Sequence, residues 1–397
     1  MDASLFISRR LNFRGNVAVV SIAVSFLVVI IAVAVSSGFR REIRNGLSGV
    51  SGDVQLTPPD LNVLNTASPI DRSPSYLPYL QQVDGVSDVV PVVYRAGIVK
   101  TEDNVHGVLF KGVEEGYAAV APDADSDSVT LAVAVPRRLS LLTGLREGDA
   151  MTAFFIGDRV RMRRFNIVAL YDALVETDDR LVVYADLADM QRIDGWSEDD
   201  VSAIEIRLDA SLGSEEDIVE ATQEIGAIVN VWSSESEAPV VAVSSVSRYP
   251  QLYDWLDLID FNVFFILLLM TIVAGFNMVS GLLIMLFENI STIGILKALG
   301  MTDRAISKSF LASAAVTVLK GMAAGNAIAL LFCIVQDRTH ILKLDPSNYF
   351  VPFVPVHVDW GALLLADVAV FAVIMLVLLI PLMFISRIDP AETVRMR

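Results

Sequence analysis

The residue types that carry most enzyme chemistry are few in this chain, and they do not cluster. Cys333 is the only cysteine among 397 residues and lies within an apolar run, so the chain can form neither an intramolecular disulfide nor a cysteine-based metal site. The histidines, His106, His340 and His357, are scattered and lack the spacing of metal ligands. Because no nucleophile is paired with a base, a catalytic enzyme is the least favoured class. Cys333 is interpreted as a small packing residue.

Motifs that hold nucleotide phosphates are also missing. Neither G-x-x-x-x-G-K-[ST] nor G-x-G-x-x-G occurs in the sequence. We therefore expect no cofactor in this chain: if ATP drives its activity, ATP and Mg²⁺ bind a separate ATPase subunit. The acidic balance, a formal net charge of −17, disfavours nucleic acid as a partner.

The apolar segments of the chain are typical of a membrane protein. The chain is 54% hydrophobic with a mean hydropathy of +0.55, which is too apolar for an ordinary soluble protein. Four segments are each long enough to cross a bilayer as a helix: residues 16–37, 259–287, 309–336 and 360–386. The first segment exceeds a signal-peptide core, so we interpret it as an uncleaved helix.

Positive charges set the expected orientation. Arg9, Arg10 and Arg14 precede the first segment, and cytoplasmic flanks carry an excess of such residues. With an even number of spans, both termini are expected in the cytoplasm and residues 38–258 outside. The remaining segments are residues 1–15, 288–308 and 387–397 on the cytoplasmic side and 337–359 on the outer side.

The block between the first two spans has the character of a separate domain. Residues 38–258 contain the acidic excess of the chain and alternate strand and helix signals, with a β-rich insertion at about residues 112–200. Within this block, Ser214–Ile225 is predicted as a helix with Ser214 as its cap, and Ile228–Trp232 as a strand. The predicted fold is therefore membrane α-helical, with four transmembrane helices and a large extracytoplasmic α+β domain between helices 1 and 2.

Lys320 and Asp367 are the only charges in the third and fourth apolar segments. Intramembrane charges are functional candidates, but at the helical rise per residue these two differ in depth by about 10 Å. We therefore expect no direct ion pair. Instead, Asp367 is expected near the outer boundary, and Lys320 is expected to reach towards headgroups or a polar cavity.

Four stretches resemble one family of membrane proteins. GFNMVSGLLIMLFENISTIGILKALGM, at residues 275–301, resembles the second membrane helix and following cytoplasmic helix of permeases from lipoprotein-releasing (Lol-type) ABC transporters. FISRRLNFRGN near the N-terminus, LDPSNYFVPFVPVHVDW before the last span and ISRIDPAETVRMR at the C-terminus are similar to the same family. This family belongs to the macrolide-exporter and cell-division permease superfamily. The resemblance implies a porter-like lobe and a β-rich inserted lobe in the outer domain.

The resemblance also implies an ATPase-coupling site in residues 288–308. Thr292–Leu299 is amphipathic, and Gly300 stands where a C′ glycine ends a helix. Such a helix can fit a groove on an ATPase and transmit its movement as a rigid body; the alternative is an ordinary interfacial loop. The candidate coupling residues are Glu288, Ile293, Ile295, Leu296, Lys297, Leu299, Gly300 and Met301.

Aromatic residues at the expected outer membrane surface are the candidate lipid- and lipoprotein-binding residues. They would surround a lateral opening that accepts acyl chains, whose burial requires apolar area rather than specific polar groups. The alternative is an interfacial aromatic belt. The candidates are Phe39, Phe261, Phe264, Phe265, Tyr349, Phe350 and Phe353.

With this resemblance, the predicted function is that of a permease in the bacterial inner membrane that extracts acylated lipoproteins from the outer leaflet for a periplasmic carrier. Its expected partners are a separate ABC ATPase and a second permease, in a homodimer or heterodimer. The hairpin that corresponds to a carrier-binding element, Phe154–Arg164, is short, which moves carrier capture towards a partner subunit. Two alternatives stay open: an exporter of small amphiphiles or peptides, and a cell-division-type signalling permease that activates an extracellular hydrolase.

Overall fold

The computed structural model describes residues 16–59, 68–100, 105–117, 131–156, 160–173, 181–209, 212, 214–345 and 349–383. Contacts divide these residues into two units. The helical unit contains the chain up to Arg40, Trp255–Lys343 and the chain from Val354 onward, whereas the β-rich unit contains Arg41–Asp254 and Leu344–Phe353. The terminal arginines used for the predicted orientation, and the last residues of the fourth predicted span, lie outside the described residues.

Long helices at both ends of the described chain flank a region of short strands and helices. The helices are α1 (Asn16–Ser51), α2 (Leu77–Leu80), α3 (Arg137–Thr143), α4 (Leu187–Asp194), α5 (Glu215–Trp232), α6 (Ser245–Arg248), α7 (Pro250–Glu288), α8 (Ile290–Ala298), α9 (Asp303–Thr339), α10 (Trp360–Val377) and α11 (Leu379–Leu382). The strands are β1 (Val54–Thr57), β2 (Ile70–Asp71), β3 (Val86–Lys100), β4 (Val105–Val113), β5 (Leu131–Pro136), β6 (Ala150–Phe155), β7 (Arg161–Tyr171), β8 (Leu181–Asp186), β9 (Asp200–Val201), β10 (Ala203–Leu208) and β11 (Val241–Ser244).

Within the described ranges, four helical stretches are long and apolar enough to cross a membrane: α1, α7, α9 and the run from Trp360 to Leu382. They confirm the four predicted transmembrane helices, with a β-rich domain between the first and the second. Two of them extend beyond their uncharged cores. Helix α1 continues beyond the predicted span, which ends at residue 37, as far as Ser51, and α7 begins at Pro250, where the missing N–H of proline is tolerated.

Glycines allow a close contact between α1 and α9 in the helical unit. A Cβ atom added to Gly325 in α9 would lie 2.4 Å from the backbone oxygen of Ala23 in α1, and one added to Gly321 would lie 2.6 Å from Ile22. Helices α1 and α9 therefore approach closely along their backbones, as membrane helices do at small residues. Ile22 and Phe26 continue this contact into the core of the unit.

Gly325→Ala is expected to destabilise the helical unit, because its methyl group would collide with the backbone of α1. Overpacking of this kind costs about 1–3 kcal/mol. The measurement is the midpoint of thermal aggregation of the detergent-purified chain, followed by size-exclusion chromatography. Gly275→Ala is the matched control, since a Cβ there would meet Val377 at an ordinary 3.8 Å. Equal midpoints for the two variants would contradict the close approach of α1 and α9.

The β-rich unit is built on one nine-stranded sheet with the order β11-β1-β10-β3-β4-β8-β5-β7-β6. An additional pairing between β3 and β6 closes the strands from β3 to β6 into a ring. The long strand β3 belongs to both parts: Val86–Val92 pairs with β10, and Val93–Lys100 pairs with β4. The β-rich ring therefore begins within β3, earlier in the chain than residue 112.

Helix α5 packs on β1 and β11 and is longer than the sequence predicts. Ser214 and Asp217 form a capping box at its start, as the predicted cap at Ser214 requires. The strand predicted at Ile228–Trp232 is wrong, because the helix continues through this run. Ile225 and Val229 are four residues apart and are both buried, so packing on the sheet overrides the β-propensity of the sequence.

Candidate coupling site and lipid-facing residues

The candidate coupling segment forms a short helix, α8, which a single residue, Asn289, separates from α7. The side chain of Asn289 donates from Nδ2 to a carbonyl oxygen in the last turn of α7 at 2.9 Å. At the other end, Gly300 has a φ of 87°, which favours glycine. Its N–H donates to the carbonyl oxygen of Lys297 at 2.9 Å, and the N–H of Met301 donates to that of Leu296 at 3.0 Å. This is the Schellman pattern, so hydrogen bonds fix the C-terminal end of α8, while Asn289 bonds to the end of α7.

The side chains of α8 divide between a buried and an exposed face. Ile293 is fully buried and packs in the core of the helical unit, and Leu296 packs at the edge of that core. Ile295 and Leu299 are instead 52% and 79% exposed. Because they are four residues apart, they lie on the same side of the helix. Of the predicted coupling residues, Ile295 and Leu299 therefore offer the apolar contact surface, whereas Ile293 and Leu296 support the helix from within.

The other predicted coupling residues connect α8 to its neighbours. Lys297 Nζ lies 2.9 Å from Asp303 Oδ1, which ties α8 to the first turn of α9. Glu288 is exposed at the end of α7, and Met301 is half-buried beside the core of the helical unit. The structure thus places all of the predicted coupling residues on one short element and its two junctions.

Of the candidate lipid-facing residues, Phe261, Phe264 and Phe265 form one exposed cluster on α7, which we call the α7 aromatic cluster. Their side chains are 57%, 60% and 53% exposed. The centroid of the Phe265 ring lies 4.9 Å from that of Phe261 and 6.3 Å from that of Phe264. Phe39 differs from them: it is buried and packs edge-to-face against Trp255 at 5.5 Å. Among these four candidates, the α7 aromatic cluster therefore presents the exposed aromatic surface.

A polar contact between α1 and α7 next to this cluster was not predicted. Arg40 forms an ion pair with Asp260, and its guanidinium also lies 3.7 Å from Asp257. Ser36 donates a further hydrogen bond to Asp260. The signal was present in the sequence, because Asp257 and Asp260 are nearly one helical turn apart and are the last charges before the uncharged run. The contact holds α1 and α7 together beside Phe261.

The remaining candidates, Tyr349, Phe350 and Phe353, belong to the β-rich unit. Tyr349 is 44% exposed. Phe350 has a φ of 62°, a left-handed conformation that residues with large side chains rarely adopt. The N–H of Leu344 donates to the carbonyl oxygen of Pro352 at 2.9 Å and closes this loop. The three rings therefore lie in a loop of the β-rich unit, and Tyr349 is the exposed one among them.

Asp367 is buried in the helical unit, and its Oδ2 accepts a hydrogen bond from Asn326 Nδ2 at 2.5 Å. Lys320 lies exposed on α9. Asp367 thus pairs with an amide, in agreement with the expectation that it forms no ion pair with Lys320. Asn326 was missed because a single amide beside the small-residue face of α9 carries no spacing signal.

A buried polar cluster in the β-rich unit was also missed. We call it the Lys111 cluster; its members are Lys111, Glu205, Tyr94, Tyr117 and Tyr184. The Lys111 and Glu205 side chains have 0% exposure, and Lys111 Nζ lies 2.9 Å from each carboxylate oxygen. The signal in the sequence is Lys111 inside the apolar strand pattern VLFKGV and Glu205 inside AIEIRL, which also carries Arg207.

Burial sets the protonation behaviour of the Lys111 cluster. Loss of water around the ammonium lowers the pKa of Lys111 to about 8, although the neighbouring Glu205 raises it. Burial, followed by the charge of Glu205, raises the pKa of Tyr94 and Tyr117 well above the ordinary value. The tyrosines are thus neutral hydrogen-bonding groups at physiological pH.

The predicted hairpin at Phe154–Arg164 is formed by β6 and β7, whose ends pair Phe155 with Arg161. Residues 157–159, between the two strands, lie outside the described residues. Beside the turn, Ile156, Val160 and Met162 are 52%, 66% and 61% exposed. The paired part of the hairpin is short.

Two solved structures align with about half of this chain. One is the extracellular domain of the noncanonic ABC-type transporter YknZ from Gram-positive bacteria, which is 16% identical over 48% of this chain and 99% of that structure, with a TM-score of 0.30. The other is the periplasmic region of MacB from Actinobacillus actinomycetemcomitans, which is 11% identical over 52% of this chain and 95% of that structure, with a TM-score of 0.32.

The sequence comparisons reach further along the chain. Residues 264–390 match the FtsX-like permease C-terminal family. The lipoprotein-releasing system transmembrane protein LolC of Neisseria meningitidis serogroup B is 22% identical, with 97% of this chain and 94% of that protein aligned. The corresponding LolE of Haemophilus influenzae is 21% identical, with 94% of this chain and 92% of that protein aligned. Residues 264–390 therefore form an FtsX-like permease domain, and the chain is similar along nearly its whole length to the permeases of lipoprotein-releasing (Lol-type) systems.

Proposed function

We propose that this chain is the membrane-spanning subunit of an ABC transporter that extracts lipoproteins from the outer leaflet of the bacterial inner membrane and passes them towards a periplasmic carrier. The observation that carries the proposal is the extent of the alignment. Relatives named as lipoprotein-releasing transmembrane proteins align with 97% of this chain, so the similarity includes the β-rich domain as well as the helices. A match restricted to the C-terminal permease domain would favour the exporter and signalling alternatives equally.

In this proposal ATP hydrolysis belongs to a separate subunit, and α8 is the element that contacts it. Ile295 and Leu299 give α8 an exposed apolar face. The Schellman hydrogen bonds at its C-terminal end and the Lys297–Asp303 pair make α8 a rigid element. A rigid helix can pass a displacement from one subunit to another. With both termini in the cytoplasm, α8 faces the ATPase, and a second permease, identical or related, completes the complex.

The α7 aromatic cluster is the proposed point of contact with acyl chains. Its three rings are more than half exposed, and the Arg40–Asp260 pair fixes α1 beside them. Burial of an acyl chain is worth about 0.8 kcal/mol per methylene group. A groove lined by such rings therefore binds acyl chains without any specific polar group.

A photo-crosslinking residue in place of Phe264 is expected to capture a triacylated lipoprotein before ATP is added and to lose it afterwards. The measurement is immunoblotting of crosslinked complexes in membranes. Phe287 is the matched control, because it is also exposed (68%) but lies at the other end of α7; it is expected to capture phospholipid alone. If position 264 also yields only phospholipid while lipoprotein release continues, the entry site is elsewhere.

Mass spectrometry of the detergent-purified complex separates the proposal from its alternatives. An ABC ATPase and a bound lipoprotein are expected to co-purify with the chain. Co-purification of an extracellular hydrolase without any lipoprotein would instead favour a signalling permease.

A further inference from the structure

The last turn of α1 ends among hydrogen-bond donors of the Lys111 cluster. Lys111 Nζ donates to the carbonyl oxygen of Val50 at 2.7 Å, in addition to its contacts with Glu205. The last carbonyl groups of a helix have no partner within the helix and form the negative end of its dipole. A buried cation at this position therefore satisfies both the hydrogen bond and the charge of the helix end.

Tyrosine hydroxyls surround the same two carbonyl groups. Tyr94 Oη lies 3.2 Å from the oxygen of Val50, while Tyr117 Oη and Tyr184 Oη lie 3.2 and 3.3 Å from the oxygen of Gly49. Tyr94 and Tyr117 also contact the Glu205 carboxylate, so each of these hydroxyl protons is shared between two acceptors. Their strands and loops belong to the sheet, so the helix end is bound to the sheet from several directions.

Asp53 supplies a second attachment just after the helix. Its carboxylate accepts hydrogen bonds from Ser48 Oγ at 3.0 Å and from the backbone N–H of Leu208 at 2.9 Å. Arg44 lies 3.4 Å from the same carboxylate and donates to the carbonyl oxygen of Asp209 at 3.1 Å. The final two turns of α1 are therefore bonded to β10 and its end.

Stability alone does not explain why an ion pair stands at this place. A buried ion pair loses much of its attraction to the cost of desolvation, and apolar residues of similar size are often as stable. The pair instead fixes an orientation. Glu205 holds the Lys111 ammonium in a position from which it donates to the carbonyl oxygen of Val50 at the end of α1. That arrangement fixes the position of the helix end.

We propose that the Lys111–Glu205 pair is a positioning element that fixes the last turns of α1 to the sheet, so that this end of the helix and the sheet move as one body. The inference rests on the proposed ATP-driven function for the source of the displacement. The bonded contact itself is independent of that function, and the two are tested separately below.

The test uses the full complex with its ATPase in lipid nanodiscs, with Cys333 replaced by alanine. Spin labels are placed at Asn45 in α1 and Glu220 in α5, which are both exposed. In the parent protein, a narrow distance distribution that ATP does not change is expected. In Lys111→Met/Glu205→Leu, which removes both charges together, the distribution is expected to broaden. Lipoprotein release per ATP hydrolysed is expected to fall about tenfold while hydrolysis continues.

The matched control is Arg137→Met/Asp172→Leu, which removes an exposed ion pair of the same unit and is expected to change neither readout. If the charge-free double variant does not fold, Tyr94→Phe/Tyr184→Phe removes two hydroxyls with the rings retained and is expected to broaden the distribution to a smaller degree. A broad distribution in the parent protein, or a narrow one with full release in the variants, would overturn the inference. If the parent releases no lipoprotein at all, the proposed function fails, and the distance measurement still decides the role of the pair.

Discussion

Replacing Ile295 and Leu299 together by aspartate is expected to abolish lipoprotein-stimulated ATP hydrolysis by the partner ATPase while the permease still inserts into the membrane. Burying two such side chains at an interface is worth about 3–6 kcal/mol, or roughly a hundredfold or more in affinity. Both side chains are more than half exposed, so aspartate at these positions does not disturb the core of the chain. The measurements are co-purification of the ATPase and its stimulation in proteoliposomes.

Two further variants make this experiment decisive. Ile295→Leu with Leu299→Met retains the apolar surface and is expected to retain stimulation. Ile293→Asp places a charge in the core of the helical unit and is expected to reduce the amount of folded permease, so its loss of activity would not identify a contact. Unchanged co-purification and stimulation in the double aspartate variant would show that α8 is not the contact.

Lys111→Met alone is expected to destabilise the β-rich unit by about 3–5 kcal/mol, because Glu205 would remain buried without its cation. Lys111→Met/Glu205→Leu is expected to recover most of this loss, since no unpaired charge is left. The stability of both variants is measured by pulse proteolysis of the purified chain in increasing urea. The readout is cleavage within the β-rich unit. Arg137→Met, which breaks an exposed pair with Asp172, is the control and is expected to leave the midpoint unchanged. Equal midpoints for the single and the double variant would contradict the buried pair.

The free energy of unfolding measured by the same assay is expected to depend on pH through two opposing effects. Lys111 has a pKa of about 8 in the folded protein and an ordinary value of 10.5, so between these values the folded protein releases this proton first. The contribution of Lys111 to the free energy of unfolding therefore rises with pH in that range. Tyr94 and Tyr117 have raised pKa values, so their contribution is fully present below the ordinary tyrosine pKa of 10.0 and is lost above it.

The difference in unfolding free energy between the parent protein and Lys111→Met is accordingly expected to increase from about pH 8 to pH 10. Above pH 10 the stability of both proteins is expected to fall, because tyrosines of the unfolded chain ionise more readily than those of the folded chain. A difference that decreases between pH 8 and pH 10 would contradict the lowered pKa of Lys111.

The sequence predicts the membrane architecture well because long uncharged runs have few alternatives to a spanning helix. It also predicts the helix end at Gly300, since a glycine after an amphipathic segment satisfies a local geometric need. In contrast, the run Ile228–Trp232 has strand propensity and yet is helical, because its packing on the sheet is a tertiary effect. A local sequence pattern contains no information about such packing.

Most of the polar contacts could not be predicted from the sequence, because they too depend on tertiary packing. Lys111 and Glu205 lie 94 residues apart, and neither strand pattern indicates that the two side chains are partners. The two sides of α8 were also ambiguous: Ile293 and Ile295 are both apolar, and the packing of the helical unit decides which of them is exposed. The aromatic candidates were named as one group, and the structure assigns them to two units.

The position of β1 has a consequence for the biogenesis of the domain. This first strand of the domain pairs with β10 and β11, so Val54 lies opposite Ile206 and Ser244, near the end of the domain in the chain. At a synthesis rate of ~5–20 residues per second, β1 waits roughly 10–40 s for its last partner. Until β10 and β11 have been synthesised, the edges of β1 expose backbone groups that can pair with another chain. The nascent domain therefore needs protection of these edges until the segment just before α7 has been synthesised.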